Sequence, residues 1–322
     1  MFVAWGHFVA GQGKYLGLSG KYGYLGVDIF FVISGFVIPW SLYRSRYVLR
    51  DYPRFLLKRN VRLYPPYLAS IAVTLLATNL ILVPLFHVPP LTVTGRSLFL
   101  HFTYLNDLAG VPWINVVYWT LAIEFQWYVL VGLLLPWLAS SSRLVRMASA
   151  AAMLAAAAAV PNLHLVFSRL PIFLIGVFVF QYRVRLIGLR EMLALILVTV
   201  AAMWFPLGWI VAAVSVVTGI IIALSTFQNR VLDRVGDVSY SLYLLHLPIG
   251  VSVIGLLSHW LPYSGSYIGV LDAVGLSASL AAAWIMYQLI ERPSQKMSSG
   301  IGFVRRPQAR LPKEAIATAG GD

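Results

Sequence analysis

Apolar runs about as long as the hydrocarbon core of a bilayer recur along the whole of this 322-residue chain. A helix needs about 20 apolar residues to cross that core. Because lipid offers no water to backbone amides, each run must satisfy its own hydrogen bonds as a helix. The runs lack the alternation of apolar and polar residues that is typical of a strand barrel. The sequence therefore predicts an all-α, polytopic transmembrane helix bundle.

The composition favours one integral membrane domain over a soluble domain with an anchor. Hydrophobic residues make up 60% of the chain and charged residues only 11%, about half the charged fraction of an average soluble domain. An amphipathic stretch at 51–65 precedes the third helix, and the segment 95–113 is too polar and broken to span the bilayer. We expect about ten helices, near residues 1–11, 24–42, 66–86, 118–139, 147–160, 169–182, 191–206, 208–227, 238–258 and 267–290.

The basic residues predict an orientation. In a soluble protein, a formal net charge of +13 would suggest nucleic-acid binding. Here the basic residues fall between apolar runs. We therefore expect no nucleic-acid partner, and we interpret the lipid bilayer as the partner. Cytoplasmic loops are enriched in Lys and Arg, which puts the 43–62 loop and the C-terminus in the cytoplasm of a multi-pass cell (inner or plasma) membrane protein. Of the 24 basic residues, those on the other side are Lys14, Lys21, Arg96 and Arg169.

The two ends of the chain differ from its middle. The first apolar segment runs only from Met1 to Gly11, which is about 16 Å of helix against a hydrocarbon core of about 30 Å. We therefore expect the first helix to be incomplete in this sequence. Residues 294–322 mix Gly, Pro, Ala and basic residues, which predicts a disordered cytoplasmic tail behind a membrane domain at 1–293.

Two ionisable residues lie near the outer ends of the first two predicted helices. Ionisable groups in a membrane span are costly and are functional candidates by default. His7 could act as a general base, because a neutral imidazole abstracts a hydroxyl proton near neutral pH, or it could be hydrogen-bonded within the bundle. Asp28 could orient His7 as a carboxylate orients a catalytic imidazole, or it could stabilise the start of its own helix.

Arg59 and Arg62 are spaced i, i+3, which puts both guanidinium groups on one helix face. Two guanidinium groups directed together suit a phosphate-bearing ligand. The alternative is that they are ordinary cytoplasmic positive charge. Pro65 and Pro66 follow, and they are expected to break this helix and bend the chain into the membrane.

Glu124 and His246 fall well within predicted spans. A carboxylate at the position of Glu124 must be neutral or pair with a cation, and both structural ion pairing and an active-site role are open. His246 has a hydrogen-bonded packing role or a functional one. No pair of these residues has metal-ligand spacing, so no metal is indicated. The chain has no cysteine, which excludes an S-acyl enzyme intermediate.

Several motifs occur together and in order across residues 1–293: AWGHF, GYLGVDIFFVISGFVI, KRNVRLYPPY, WTLAIEFQWYVL, VGDVSYSLYLLHLPI and LIERP. Together they resemble the acyltransferase 3 family of integral membrane proteins. The resemblance implies about ten helices and transfer of an acyl group, usually acetyl, from cytoplasmic acyl-CoA. The implied acceptors are hydroxyls of cell-surface or exported glycans, or of small molecules. No tightly bound cofactor is implied.

The resemblance also implies roles for particular residues. His7 matches the essential histidine of the family, Arg59 and Arg62 match its RxxR motif, and Glu124 matches its motif glutamate. An arginine usually found eleven positions before the histidine would precede Met1. The hypothesis is that the two arginines hold the phosphates of acyl-CoA while His7 deprotonates the acceptor hydroxyl, with Glu124 and Asp28 as positioning groups. Attack on the thioester could be direct or pass through an acyl-enzyme.

Two other functional classes are consistent with intramembrane charges. A transporter or flippase of a lipid-linked glycan would carry them equally well, and binding of acyl-CoA would separate that class from an acyltransferase. A purely structural scaffold does not explain ionisable groups in several different helices. A homo-oligomer is compatible with the sequence.

Overall fold

The computed structural model describes residues 22–225, 230–262 and 267–303, with the side chains of the second segment described from residue 234 onward. All regular structure in these segments is helical. The predicted helix at 1–11, which contains His7, and the chain from residue 304 onward lie outside the described residues. The observed bundle is therefore formed by the chain that follows the first predicted helix.

Seven of the helices in the described segments are long and apolar enough to cross a membrane, which confirms the predicted all-α transmembrane bundle. In chain order the helices are α1 (Leu25–Arg44), α2 (Tyr52–Ala77), α3 (Gly95–Thr103), α4 (Tyr118–Leu138), α5 (Arg143–Ala159), α6 (Leu170–Arg183), α7 (Leu189–Leu207), α8 (Trp209–Leu224), α9 (Arg230–Ser258), α10 (Tyr267–Met286) and α11 (Arg292–Ser299).

Two π-helical turns extend these helices. The turn Thr78–Leu82 continues α2 to Phe86, and the turn Tyr287–Glu291 joins α10 to α11. Helix α11 continues past the predicted domain boundary at residue 293, because Ser298 is buried there and its hydroxyl donates to the Lys58 carbonyl at 2.9 Å. The start of the predicted tail therefore packs against α2.

Each span predicted between residues 24 and 290 coincides with an observed helix, with one difference at α2. The amphipathic stretch at 51–65 and the third span form a single helix, so the prediction that Pro65 and Pro66 break it was wrong. A membrane helix tolerates proline when neighbouring helices satisfy the freed backbone groups. The carbonyls that these two prolines free are those of Val61 and Arg62. The Tyr240 hydroxyl of α9 packs against the same turn and donates to the adjacent Leu63 carbonyl at 3.0 Å.

Helices α1 and α6 pack with their backbones in contact at two glycines. A Cβ on Gly35 would lie 2.1 Å from the Phe173 carbonyl oxygen, and one on Gly176 would lie 2.2 Å from the Val32 carbonyl oxygen. Small residues allow this close approach between membrane helices. The contact places the preceding residue of α1, Ser34, where its hydroxyl can reach Glu124 of α4.

Contacts at the ends of the helices identify the two ends of the bundle. At one end Arg146 donates to the Ser140 carbonyl at 2.7 Å and Arg143 pairs with Glu191 at 3.1 Å. We name this the basic end, and it carries Arg44, Arg54, Lys58, Arg143, Arg146, Arg183, Arg190, Arg292 and Lys296. At the opposite end the segment 95–113 forms the nine-residue helix α3 followed by turns, which confirms that it does not span.

His101 of α3 holds the turns of the opposite end together. Its side chain is fully buried, and its Nε2 accepts the backbone N–H of Ile114 at 3.0 Å. Its Nδ1 lies 2.8 Å from the Ser97 carbonyl oxygen, so the ring is neutral and carries its proton on Nδ1. Burial lowers the pKa of His101 below its ordinary value of 6.5.

This lowered pKa predicts acid sensitivity at the opposite end. Below pH 6.5 His101 becomes protonated in the unfolded chain but stays neutral in the folded one. Its contribution to the free energy of unfolding is therefore complete above pH 6.5 and is lost as the pH falls towards the lowered pKa. We expect the Tm of the purified protein to fall between pH 7.5 and pH 5, and His101→Gln to remove part of that fall. His259→Gln is the control, because His259 is exposed. Identical pH profiles for His101→Gln and the parent chain would contradict this assignment.

Candidate active site

A cavity of about 350 Å³ lies between α1, α2, α4 and α9 and extends to the π-helical turn before α11. Four of the predicted site residues line it together: Arg59, Arg62, Glu124 and His246. The wall contributed by α1 is largely apolar, with Phe30 among its residues. The cavity therefore combines a few ionisable groups with an apolar wall, as small-molecule sites usually do.

Glu124 places one carboxylate oxygen where a ligand can use it. Its side chain is only 5% exposed, and its Oε1 accepts a hydrogen bond from the Ser34 hydroxyl. Its Oε2 has no hydrogen-bond partner among the described residues. The Tyr128 hydroxyl acts on the Glu124 carboxylate as a hydrogen-bond donor, and the Arg59 guanidinium acts on it through its charge. A buried acceptor left unused by its surroundings is costly to keep, and it marks Glu124 as a candidate for contact with substrate.

Arg59 is held between two aromatic rings. Its guanidinium carbon lies 5.5 Å from the centre of the Phe55 ring and 5.4 Å from that of the Tyr128 ring, which is cation–π distance. Arg62 is more exposed and lies close enough to Arg59 for their charges to interact. The i, i+3 spacing puts both guanidinium groups on one face of α2, and both line the same cavity.

Glu291 lies in the same cavity and was not singled out from the sequence. It ends the π-helical turn, is 2% exposed, and accepts hydrogen bonds from Ser241 Oγ at 2.5 Å and from Gln295 Nε2 at 3.0 Å. The Arg62 charge acts on it. Its signal in the sequence was present in the LIERP motif, where an acidic residue follows an apolar run.

His246 is fully buried on α9, and its Nδ1 lies 2.8 Å from the Tyr243 carbonyl oxygen. This contact fits the packing role that the sequence allowed. The residue also lines the cavity, which fits the functional role, so both interpretations stay open.

Asp28 does not line the cavity that the other predicted site residues share. It sits in the first turn of α1 and is 4% exposed, with its Oδ1 3.9 Å from Arg169 Nη1. The Arg169 guanidinium in turn lies over the Trp119 ring at 5.9 Å. The structure therefore gives Asp28 a cationic partner that the sequence did not predict. Its predicted orientation of His7 stays a prediction, because His7 lies outside the described residues.

Comparison with known proteins identifies the family. A family model described as an acyltransferase domain (Acyl_transf_3) matches residues 1–288. Nodulation protein 10 of Rhizobium leguminosarum bv. viciae is 26% identical in an alignment 318 residues long. That alignment covers 86% of this chain and 83% of that protein. "Putative acetyltransferase ORF330" of Acidianus two-tailed virus is 32% identical over 112 residues, 35% of this chain and 31% of that protein. No solved structure matches. The chain thus belongs to the acyltransferase 3 family, as a multi-pass membrane acyltransferase.

Proposed function

We propose that this protein transfers an acyl group, acetyl in the first instance, from acyl-CoA to a hydroxyl of a glycan or another small molecule. The observation that supports this proposal most directly is the shared cavity of Arg59, Arg62 and Glu124. Such a reaction needs to bind a phosphorylated donor and to assist a proton transfer. This apolar cavity offers a pair of cations for the first need and a buried carboxylate for the second.

The donor enters from the basic end, which we assign to the cytoplasm because basic loops favour that side. Arg62, the more exposed of the pair, meets the phosphates of acyl-CoA first, and Arg59 lies beside it. Arginine is suited to this because its planar guanidinium binds phosphate oxygens through two parallel hydrogen bonds. The acyl group then lies deeper in the cavity, towards Glu124.

The chemistry requires one proton transfer. The acceptor oxygen attacks the thioester carbonyl carbon, so that a carbon–oxygen bond forms and the carbon–sulfur bond breaks. His7 takes the proton of the acceptor hydroxyl, and the departing thiolate of CoA receives a proton as it leaves. Glu124 and Asp28 position the charged or protonated groups around this step. Support for His7 comes from the motif match, since that residue lies outside the described residues.

The test is an acyl-transfer assay in membranes with labelled acetyl-CoA, with mass spectrometry of surface glycans and small molecules. We expect His7→Ala to lower the rate at least about 100-fold, the lower range for loss of a general base. Arg59→Ala is expected to raise the KM for acetyl-CoA about tenfold, since a charge-assisted contact is lost. Arg54→Ala is the matched control, because Arg54 lies on the same helix outside the cavity.

Two results would count against the proposal. Full activity of His7→Ala at normal expression would remove the base assignment. An absence of any acyl transfer or acyl-CoA binding by folded protein would contradict the donor, and would favour the transporter class instead.

A further inference from the structure

A second cavity, of about 800 Å³, opens at the basic end between α9 and the π-helical turn that follows α10. Its floor is apolar, and it includes Val238 of α9 and Leu280 of α10. Trp284 and Tyr287 stand on the wall contributed by α10 and its π-helical turn, and the Trp284 side chain is 57% exposed. The cavity therefore presents a large aromatic surface that the described part of the chain leaves uncovered.

Two arginines border the same cavity. Arg234 and Arg292 are both exposed, and the one carboxylate among the lining residues, Asp237, interacts with Tyr287. Arg292 makes one hydrogen bond, from Nη1 to the Gln288 side chain at 3.0 Å, within its own turn. A planar aromatic ring beside two guanidinium groups is the combination that binds a base together with its phosphates.

The second cavity adjoins the first. Ser239 and Leu242 of α9 line both. The π-helical turn separates them on the other side, because Glu291 faces the first cavity and Arg292 the second. π-helical turns occur frequently at functional sites, and this one directs consecutive residues into two neighbouring cavities.

The first cavity is too small for a whole acyl-CoA molecule. At about 350 Å³ it is near the lower limit for pockets that take drug-sized ligands, and acyl-CoA is larger than those. Its two arginines also have carboxylate neighbours: Glu124 acts on Arg59, and Arg62 acts on Glu291. The three phosphate groups of CoA therefore need cations beyond this pair.

We propose that the second cavity binds the nucleotide end of the donor, the 3′-phosphorylated adenosine diphosphate part of acyl-CoA. Trp284 and Tyr287 contact the adenine ring, and Arg234 and Arg292 contact its phosphates. The pantetheine arm passes Ser239 and Leu242 into the first cavity, where the thioester lies. This inference rests on the proposed function, because it places the donor that the proposed function requires.

The test measures binding to the purified full chain in bilayer discs made only of phosphatidylcholine. The ligands are CoA, dephospho-CoA, which lacks the 3′-phosphate, and acetyl-pantetheine, which lacks the nucleotide. We expect Arg292→Gln and Trp284→Leu each to weaken CoA binding about tenfold and to leave acetyl-pantetheine binding unchanged. We also expect Arg292→Gln to reduce the preference for CoA over dephospho-CoA. Lys296→Gln and Trp137→Leu are the controls, because these exposed residues line neither cavity.

The outcomes separate this inference from the proposed function. CoA binding that is equally tight in the parent chain and in both variants would overturn the inference alone. No CoA binding by the parent chain would overturn the proposed function and the inference with it. If phosphatidylglycerol added to the discs is retained by the parent chain and lost in Arg292→Gln, with CoA binding unaffected, the cavity is a lipid headgroup site and the inference is overturned.

Discussion

Glu124→Gln is expected to lower kcat for acyl transfer about 100-fold, the lower range for loss of one electrostatic group that acts on the charges of the reacting step, without reducing the amount of folded protein. Glutamine has the same shape as glutamate, and its amide oxygen can still accept the hydrogen bond from Ser34. What it removes is the negative charge and the proton-accepting Oε2, which has no partner among the described residues. The measurements are kcat and KM for acetyl-CoA in purified protein, together with Tm.

Two controls show whether this loss is chemical. Ser34→Ala removes only the hydrogen bond to Glu124, so we expect a loss of about tenfold or less. Glu191→Gln alters a carboxylate that pairs with Arg143 at the surface of the basic end, where we expect no change in rate, because exposed ion pairs contribute little. Full kcat in Glu124→Gln would remove Glu124 from the chemistry. A large loss of folded protein would instead assign it to structural charge pairing with Arg59.

Gly35→Ala is expected to destabilise the folded protein by about 3 kcal/mol or more, the upper range for overpacking. The added methyl carbon would lie 2.1 Å from the Phe173 carbonyl oxygen and 2.9 Å from its carbonyl carbon. These are backbone atoms, so no side chain can rotate away and α1 must separate from α6. Alanine favours a helix over glycine by about 1 kcal/mol, which is too little to offset the clash.

The measurement is Tm in detergent together with the fraction of protein that elutes as a single species in size-exclusion chromatography. Gly176→Ala should behave in the same way, since it meets the Val32 carbonyl oxygen from the other side. Gly269→Ala in α10 is the matched control, because a Cβ there meets nothing within 4 Å, and its Tm should be unchanged or higher. A parent-like Tm for Gly35→Ala would show that the two backbones are farther apart than described.

Local features of the sequence predicted most of the fold. The length of each apolar run and the position of the basic residues between runs are properties of short segments, so they predict helices and the two ends of the bundle without knowledge of packing. The exception is α2, where Pro65 and Pro66 are local signals for a break. The helix continues there because it is packed against α9, from which Tyr240 reaches the backbone.

The candidate site was predicted in part. The i, i+3 spacing of Arg59 and Arg62 is local, and it correctly places them on one face of α2. Glu124 was recognised as a carboxylate that needs a partner, but its hydrogen bond to Ser34 joins residues 90 positions apart. The hydrogen bond from Ser241 to Glu291 joins residues 50 positions apart. No pattern within one helix reveals such pairs.

The sequence by itself determined that this chain is a membrane helix bundle of the acyltransferase 3 family, because hydropathy, charge position and short motifs are properties of consecutive residues. Only the tertiary structure decided that Glu124, Arg59, Arg62 and Glu291 share one cavity, that Asp28 faces Arg169 instead, and that a second cavity adjoins the first. The physical reason is that these contacts depend on the rotation and separation of packed helices. The rotation and the separation of the helices are set by close backbone contacts such as the one at Gly35. Such contacts join segments that are far apart in the chain.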